Sequence, residues 1–249
     1  MAILKGIRSF YEYVVLYGGL LFFALICLAW SLPASLLRHL LPHRLGQRIG
    51  RYAIMMVFRI YLAVIRASGI VKLDLSALDV LRKEPSLVIA TNHPALIDVV
   101  LVGSRLPNFV CVLKARLLDN PLLGGGASMA GYVRNDSTAM LVRDASVALR
   151  EGAQLLIFPE GTRTVRQPVN EFKGGFALVA RKAGVPVQTV FIEASSPFLG
   201  KNWSFFDKPE FPLRYKARLG ERFEVDTDAK TFAANLEKYY CEQMTQRQS

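Results

Sequence analysis

Two long apolar segments dominate the pattern of residues 1–70. Residues 14–32 form a nearly uninterrupted apolar run behind the basic residues Lys5 and Arg8, and this run is close to the roughly 20 residues needed to cross a hydrocarbon core. A basic start before an apolar region also suits a secretory signal peptide. The length of the run, and the second apolar segment behind it, favour a retained membrane anchor.

The second apolar segment, residues 49–70, carries three arginines that make a full membrane span costly. We therefore expect a helix in the headgroup plane whose arginines extend to water. Pro33 and Pro42 are expected to break the chain between the segments, and two helices joined in this way can also dip into one leaflet. His39 and His43 lack a carboxylate partner at a useful spacing and are expected to be interfacial rather than catalytic.

Beyond residue 72 the pattern changes to short apolar stretches that alternate with amphipathic ones. Strands are predicted at residues 87–91, 109–113, 154–158 and 187–192, with further strand structure at 213–225. Helices are predicted at residues 138–150, 173–183 and 229–245. This alternation predicts an α/β fold with a mixed, largely parallel sheet flanked by helices. The chain then divides into membrane-anchoring helices at residues 1–70 and one α/β domain at residues 71–249.

The net positive charge of the chain predicts a polyanionic partner. The chain has 31 Lys and Arg against 20 Asp and Glu, a formal net charge of +11, and 52% of its residues are hydrophobic. Anionic lipid headgroups and nucleic acid both suit such a charge. Basic residues scattered among leucine-rich segments favour lipid, and no nucleic-acid-binding motif occurs. The three cysteines show no CxxC spacing, so neither a zinc site nor a redox pair is expected.

The first chemical candidate is the segment TNHPALID, residues 91–98, at the end of a predicted strand. Ligands of open α/β sheets bind outside the carboxyl ends of strands. Pro94 suits the first position of a helix, which places His93 just before that helix and Asp98 in its second turn. A His93 ring folded back to Asp98 has a fixed tautomer and a second nitrogen free to take a proton from a hydroxyl. The alternative is a helix-capping pair with an ordinary surface aspartate.

The second candidate is the segment FPEGTR, residues 158–163, which also follows a predicted strand. Proline and glycine favour a turn there, and a turn is the simplest interpretation of the segment. Arg163 can present two parallel donors to a phosphate. Glu160 can order that arginine or contact an acceptor hydroxyl.

Together the two segments resemble the NHxxxxD and FPEGTR motifs of the glycerolipid acyltransferase family, which includes the 1-acylglycerol-3-phosphate acyltransferases. The resemblance covers about residues 86–191, and the motifs occur in the family's order. It implies that His93 is the general base and that Asp98 orients it. It also implies direct acyl transfer from acyl-CoA or acyl-carrier protein to the hydroxyl of a lyso-phospholipid such as lysophosphatidic acid, with no cofactor and no metal.

The resemblance also implies substrate-binding residues. Lys114 follows the second strand where the family usually has a lysine, and it is the candidate phosphate contact alongside Arg163. Gly161 and Thr162 belong to the same substrate-binding motif as Glu160.

The chain departs from the family pattern at several positions. Arg134 is a further substrate-binding candidate, but the family's usual arginine falls a few residues later, where this chain has Asn135, Asp136 and Ser137. Thr189 replaces the second proline of a VPxxPV element. The glycine triplet at residues 124–126 is interpreted either as a flexible wall of an acyl pocket or as a loop.

These departures leave alternatives open. The same chemistry can act on a specialised lyso-lipid without glycerol phosphate, such as an amino-lipid. A non-catalytic lipid-binding adaptor has no use for a general base, and nucleic-acid binding ranks behind it. The expected location is the membrane, at the cytoplasmic face of the inner or plasma membrane, with membrane lipids and the acyl donor as partners.

Overall fold

A computed structural model of the chain describes residues 2–120, 124–204 and 206–246. Two long helices, α1 (Ala2–Leu40) and α2 (His43–Ala67), precede an α/β domain. Its strands are β1 (Val71–Asp74), β2 (Val88–Thr91), β3 (Phe109–Leu113), β4 (Val133–Arg134), β5 (Gln154–Ile157), β6 (Val187–Ala194) and β7 (Leu213–Phe223). Its helices are α3 (Asp98–Gly103), α4 (Ala115–Leu118), α5 (Gly124–Met129), α6 (Thr138–Arg150), α7 (Gly175–Ala183) and α8 (Ala229–Thr245), with a 3₁₀ helix at Ser76–Lys83.

The seven strands form one sheet in the order β1-β7-β6-β2-β5-β3-β4. Every neighbouring pair is parallel except β6 with β7. The prediction of a mixed, largely parallel sheet flanked by helices is therefore confirmed. Ala90 of β2 lies opposite Ile157 of β5 and Thr189 of β6. Because these strands are parallel, the segments that follow β2 and β5 emerge at the same sheet edge.

Helix α1 is longer than the sequence predicts. The expectation that Pro33 breaks the chain is wrong, because α1 continues through it to Leu40. Proline removes one helical hydrogen bond, but its neighbours Ser31 and Ala34 are almost fully buried, and the helix packs against α5. In the described ranges, α1 is the one helix long and apolar enough to cross a membrane.

Helix α2 packs against the α/β domain. Its buried side chains, including Phe58 and Leu62, share one apolar core with the sheet. The expectation that its arginines extend to water is wrong for Arg51, which is 3% exposed. The Arg51 guanidinium donates to the Ala130 carbonyl at 2.9 Å and to the side chain of Asn108 at 3.0 Å. A buried arginine is tolerated at this position because its guanidinium N–H groups are hydrogen-bonded to acceptors. The division of the chain at residue 70 stays a prediction.

Candidate active site

The two sequence motifs meet at the carboxyl ends of β2 and β5. The His93 carbonyl accepts a hydrogen bond at 2.7 Å from the N–H of Thr164, the residue directly after FPEGTR, and this bond ties the two segments together. The His93 ring also stacks on Phe158, with ring centroids 3.8 Å apart and planes 19° from parallel. The structure therefore brings the residues of both motifs into a single site, as their position after parallel strands predicts.

The His93 ring folds back onto Asp98. The distance from Nδ1 of His93 to Oδ2 of Asp98 is 2.9 Å, and the same oxygen accepts the Ala95 N–H at 2.8 Å. The aspartate side chain is fully buried, whereas 12% of the histidine side chain is exposed. A carboxylate that accepts from Nδ1 leaves Nε2 as the nitrogen that can take a proton.

The helix after this pair begins later than the sequence predicts. Pro94 is not its first residue: residues 94–97 form turns, and α3 begins at Asp98, which therefore lies in the first turn rather than the second. The physical reason is that the Asp98 carboxylate takes the N–H of Ala95. This closes a tight turn and brings the carboxylate within reach of His93.

Burial determines the electrostatics of Asp98. Removal from water raises the pKa of Asp98 above its ordinary value, while the hydrogen bond from His93 and the N–H of Ala95 oppose that rise. The negative charge of this carboxylate therefore depends on its contact with the imidazole. Such a group stabilises an imidazolium more strongly than an exposed carboxylate does, because little water screens the pair.

Asn92 anchors the turn to the sheet, a role that the sequence did not reveal. Its side chain donates to the carbonyl of Ile192 at 2.9 Å and accepts the N–H of the same residue at 2.7 Å. These two bonds extend the pairing of β2 with β6 by a side chain. The only sequence signal for this role is the position of an amide residue between a strand and His93.

Glu160 binds donors within the two turns of the site, and its expected contact with an acceptor hydroxyl stays a prediction. It is 2% exposed. One oxygen accepts the His93 N–H at 2.9 Å and the Thr164 hydroxyl at 2.7 Å, and the other accepts the Asn170 N–H at 2.9 Å. With three donors on its carboxylate, Glu160 orders the turn that carries His93; none of these bonds goes to Arg163.

The two basic side chains expected to bind phosphate, Arg163 and Lys114, lie near the same sheet edge. They differ in how many of their N–H donors are free for a ligand. Arg163 donates to the carbonyls of Leu199 and Gly200, both at 2.9 Å, which leaves part of its guanidinium for a ligand. Lys114 is exposed directly after β3.

Arg134, at the end of β4, is engaged by two carboxylates. Its guanidinium donates to Asp136 at 2.9 Å and to Asp119 at 3.3 Å. Gly161 has a φ of +67°, a left-handed conformation that glycine adopts readily, and the neighbouring Thr162 is partly exposed. Over the described ranges, no group of three or more His, Cys, Asp or Glu side chains is placed to hold a metal ion.

Comparisons with known proteins agree with this architecture. The sequence model of the family described as Acyltransferase matches residues 72–193. The chain is 34% identical over 130 residues to the lyso-ornithine lipid O-acyltransferase of Pseudomonas aeruginosa, covering 47% of this chain and 50% of that protein. It is 22% identical over 242 residues to a 1-acyl-sn-glycerol-3-phosphate acyltransferase of the same organism, covering 95% and 88% of the two chains.

The fold has a counterpart among solved structures. The crystal structure of the 1-acyl-sn-glycerophosphate (LPA) acyltransferase PlsC from Thermotoga maritima superposes with a TM-score of 0.67 at 16% identity, covering 98% of both chains. Residues 72–193 are thus an acyltransferase domain. Within that class, the relatives to which the chain is similar are named for acyl transfer to a lyso-ornithine lipid or to 1-acyl-sn-glycerol-3-phosphate. The chain spans half the length of the lyso-ornithine lipid O-acyltransferase that it matches.

Proposed function

We propose that this protein is a membrane-associated O-acyltransferase that moves a fatty acyl group from a thioester donor to the hydroxyl of a lyso-lipid. The observation that carries the proposal is the 2.9 Å contact between His93 and the fully buried Asp98, at the sheet edge where open α/β sheets bind ligands. The acyltransferase domain and the names of the relatives support the same reaction class.

The proposed mechanism uses His93 as a proton shuttle. Nε2 takes the proton of the acceptor hydroxyl as its oxygen attacks the thioester carbonyl, and Asp98 stabilises the imidazolium that forms. This attack forms the ester C–O bond and a tetrahedral oxyanion, which collapses by re-forming the carbonyl and breaking the C–S bond. The departing thiolate takes the proton from Nε2, which returns the imidazole to its starting state. Acyl-CoA and acyl-carrier protein are the proposed donors.

The proposed acceptor is a lysophosphatidic acid-like lipid whose phosphate meets Lys114 and Arg163. Phosphate groups suit cationic side chains at such an edge. A second acceptor class, a lyso-lipid without glycerol phosphate such as an amino-lipid, is favoured by one observation: Arg134 already donates to two carboxylates. A relative at 34% identity is named for a lyso-ornithine lipid, which supports the same alternative.

We place the reaction at the membrane, on the cytoplasmic side. Helix α1 supplies the apolar segment, and basic residues flank it at both ends. Cytoplasmic flanks of membrane helices are enriched in lysine and arginine, and anionic headgroups attract them.

The decisive test is His93→Ala in the full chain, assayed with a labelled acyl donor. Loss of a general base lowers rates by about 10²–10⁴-fold, and the circular dichroism spectrum should stay unchanged. His43→Ala is the matched control, because that histidine is exposed at the start of α2. Retention of more than a few per cent of activity by His93→Ala would refute the base assignment. Vesicle binding without turnover across donors and acceptors would favour a lipid-binding adaptor.

The acceptor is tested with a panel of lyso-lipids with and without phosphate. Lys114→Ala should raise KM for phosphate-bearing acceptors and leave the others unchanged. Lys83→Ala is the control, since that exposed lysine precedes β2 and so lies towards the opposite sheet edge. An equal effect of Lys114→Ala on every acceptor would contradict the phosphate contact and favour the second acceptor class.

A further inference from the structure

Two exposed cations lie opposite each other on neighbouring strands of the sheet. Lys72 of β1 is the register partner of Arg214 of β7, and both side chains are exposed. Neighbouring strands lie about 4.8 Å apart, less than the Debye length of about 8 Å at physiological ionic strength, so the two charges repel each other. In the part of the chain that the structure describes, neither side chain forms an ion pair or a hydrogen bond.

The adjacent row on the same sheet face is balanced in charge. Lys216 of β7 lies opposite Asp74 of β1 on one side and Glu193 of β6 on the other. Arg218 donates to Glu193 at 3.1 Å. Two acidic and two basic side chains thus compensate one another, one row away from the uncompensated pair.

Ser195 extends the row of the pair to the residue after β6. Its N–H donates to the Arg214 carbonyl at 3.0 Å, and its hydroxyl oxygen accepts the Arg214 N–H at 2.9 Å. The O–H of this serine can still donate to a ligand, because a hydroxyl is a donor as well as an acceptor. Both rows line one open depression of about 450 Å³. Two cations and a hydroxyl at its edge suit a phosphate group.

The pair lies where the two long N-terminal helices join the α/β domain. β1 begins shortly after the end of α2, and the hydroxyl of Tyr11 in α1 donates to the Ser68 carbonyl at 2.8 Å. The Leu213 N–H donates to the Ile70 carbonyl at 2.8 Å, so β7 begins at the same point. Because β7 is antiparallel to β6, this is also the sheet edge at which His93 follows β2.

The pair is too far from Lys114 to share one phosphate with it. Lys114 follows β3, and four strand spacings separate β3 from β7, which is about 19 Å. Only two spacings, about 10 Å, separate β7 from β2. A group bound by Lys72 and Arg214 therefore lies beside the proposed active site, on the side away from Lys114.

We propose that Lys72, Arg214 and Ser195 bind the phosphate of an anionic phospholipid of the bilayer and so hold the α/β domain against the membrane surface. The headgroup supplies the negative charge that the pair lacks, and α1 and α2 keep the pair near the headgroups. This lipid is not the acyl acceptor. The proposal rests on the proposed membrane location and is independent of acyl transfer.

Titration of the full chain in uncharged detergent micelles tests this site without turnover. Calorimetry measures Kd for a short-chain phosphatidylglycerol and for the matching phosphatidylcholine, whose headgroup has no net charge. The unmodified chain should bind phosphatidylglycerol more tightly. Lys72→Gln with Arg214→Gln should weaken that binding about 30-fold, since each cation beside an anionic headgroup contributes about a factor of five. The variant should remain folded, because the change removes a repulsion.

Lys216→Gln is the matched control, because it removes the same charge from an exposed lysine one row away. Lys72→Gln alone should weaken the binding of phosphatidylglycerol about fivefold, whereas Lys216→Gln should change it by less than about twofold. Equal losses in the two variants would indicate a general attraction of positive charge and would overturn the proposed site. Equal affinity of the unmodified chain for both lipids would overturn it as well.

Competition identifies the source of the phosphate. Coenzyme A or inorganic phosphate is added to the chain loaded with phosphatidylglycerol, and neither should displace the lipid. Displacement by coenzyme A that Lys72→Gln weakens would assign the pair to the acyl donor. Displacement by inorganic phosphate would indicate a site for the free anion, and either result would overturn the lipid assignment. His93→Ala should leave the titration unchanged, so its failure is distinguishable from failure of the proposed acyl transfer.

Discussion

Glu160 couples the two motifs through three hydrogen bonds to one buried carboxylate. Its bond to the N–H of His93 determines where the backbone turns before the imidazole, and its bond to Asn170 ties the same turn to the segment after the FPEGTR motif. Hydrogen bonds to a charged acceptor are roughly twice as strong as neutral ones. The carboxylate therefore acts on the proposed base through backbone geometry.

Glu160→Gln should lower both stability and turnover. The amide places an NH₂ group where a donor now binds, so at least one buried donor loses its acceptor, at a cost of about 1–3 kcal/mol. Denaturant unfolding in detergent and kcat measure the two effects. Glu171→Gln is the control, because that glutamate is exposed in the same segment. An unchanged unfolding free energy would show that the three bonds do not stabilise the turn.

The sequence predicted the contact of His93 with Asp98 because only five positions separate them. It offered Arg163 or an acceptor hydroxyl as the partner of Glu160 and did not reveal the His93 N–H, because local spacing says nothing about a partner 67 positions away. That partner depends on β2 pairing with β5, which also explains why the contacts of Arg163 with Leu199 and Gly200 could not be predicted.

At the scale of the secondary-structure elements, the largest difference between prediction and structure is helix α5 and its contact with α1. Glycine is a poor helix former, so residues 124–126 were expected to be a loop or a flexible wall, yet they begin a helix. A Cβ at Gly125 would overlap the Ser31 carbonyl oxygen and the Ser35 hydroxyl. Close packing of the two helices thus outweighs the low helix propensity of glycine.

Gly125→Ala should therefore weaken the attachment of α1. The added methyl group meets a backbone oxygen that cannot rotate away, and overpacking of this kind costs about 1–3 kcal/mol. Gly18→Ala is the matched control: it lies in α1 with no atom within 4 Å of an added Cβ, and it should be neutral or stabilising by about 0.5–1 kcal/mol. Thermal unfolding in detergent compares the two, and equal melting temperatures would argue against tight α1–α5 packing.

Strands and helices with strong local patterns were predicted well, and a strand without such a pattern was not. The predicted boundaries of β3, α6 and α8 agree with the structure, because each has an apolar pattern and clear end signals. β1 was missed: its four residues include Lys72 and Asp74, and it pairs only with β7, more than 130 positions later.

At the scale of the whole molecule, α1 leaves an apolar face uncovered by the rest of the protein. Leu21, Leu25, Leu32 and Leu36 are each more than half exposed. Their spacing of four, seven and four residues places them on one side of the helix. An exposed apolar strip of this length is unfavourable in water and suits lipid.

This face predicts that apolar contact, rather than charge, holds the protein to the membrane. Burying a leucine side chain contributes about 1.5–3 kcal/mol, so four of them contribute roughly 6–12 kcal/mol, while 1 M salt shortens the range of charge–charge attraction to about 3 Å. The full chain should therefore stay in the membrane pellet after a 1 M salt wash and require detergent for release.

Replacing the four leucines by glutamine should make the protein extractable by salt. A control with Arg38, Arg44 and Arg48 replaced by glutamine should remain salt-resistant. Release of the unmodified protein by salt alone would mean that its positive charge carries the attachment, and the anchor role of α1 would be wrong.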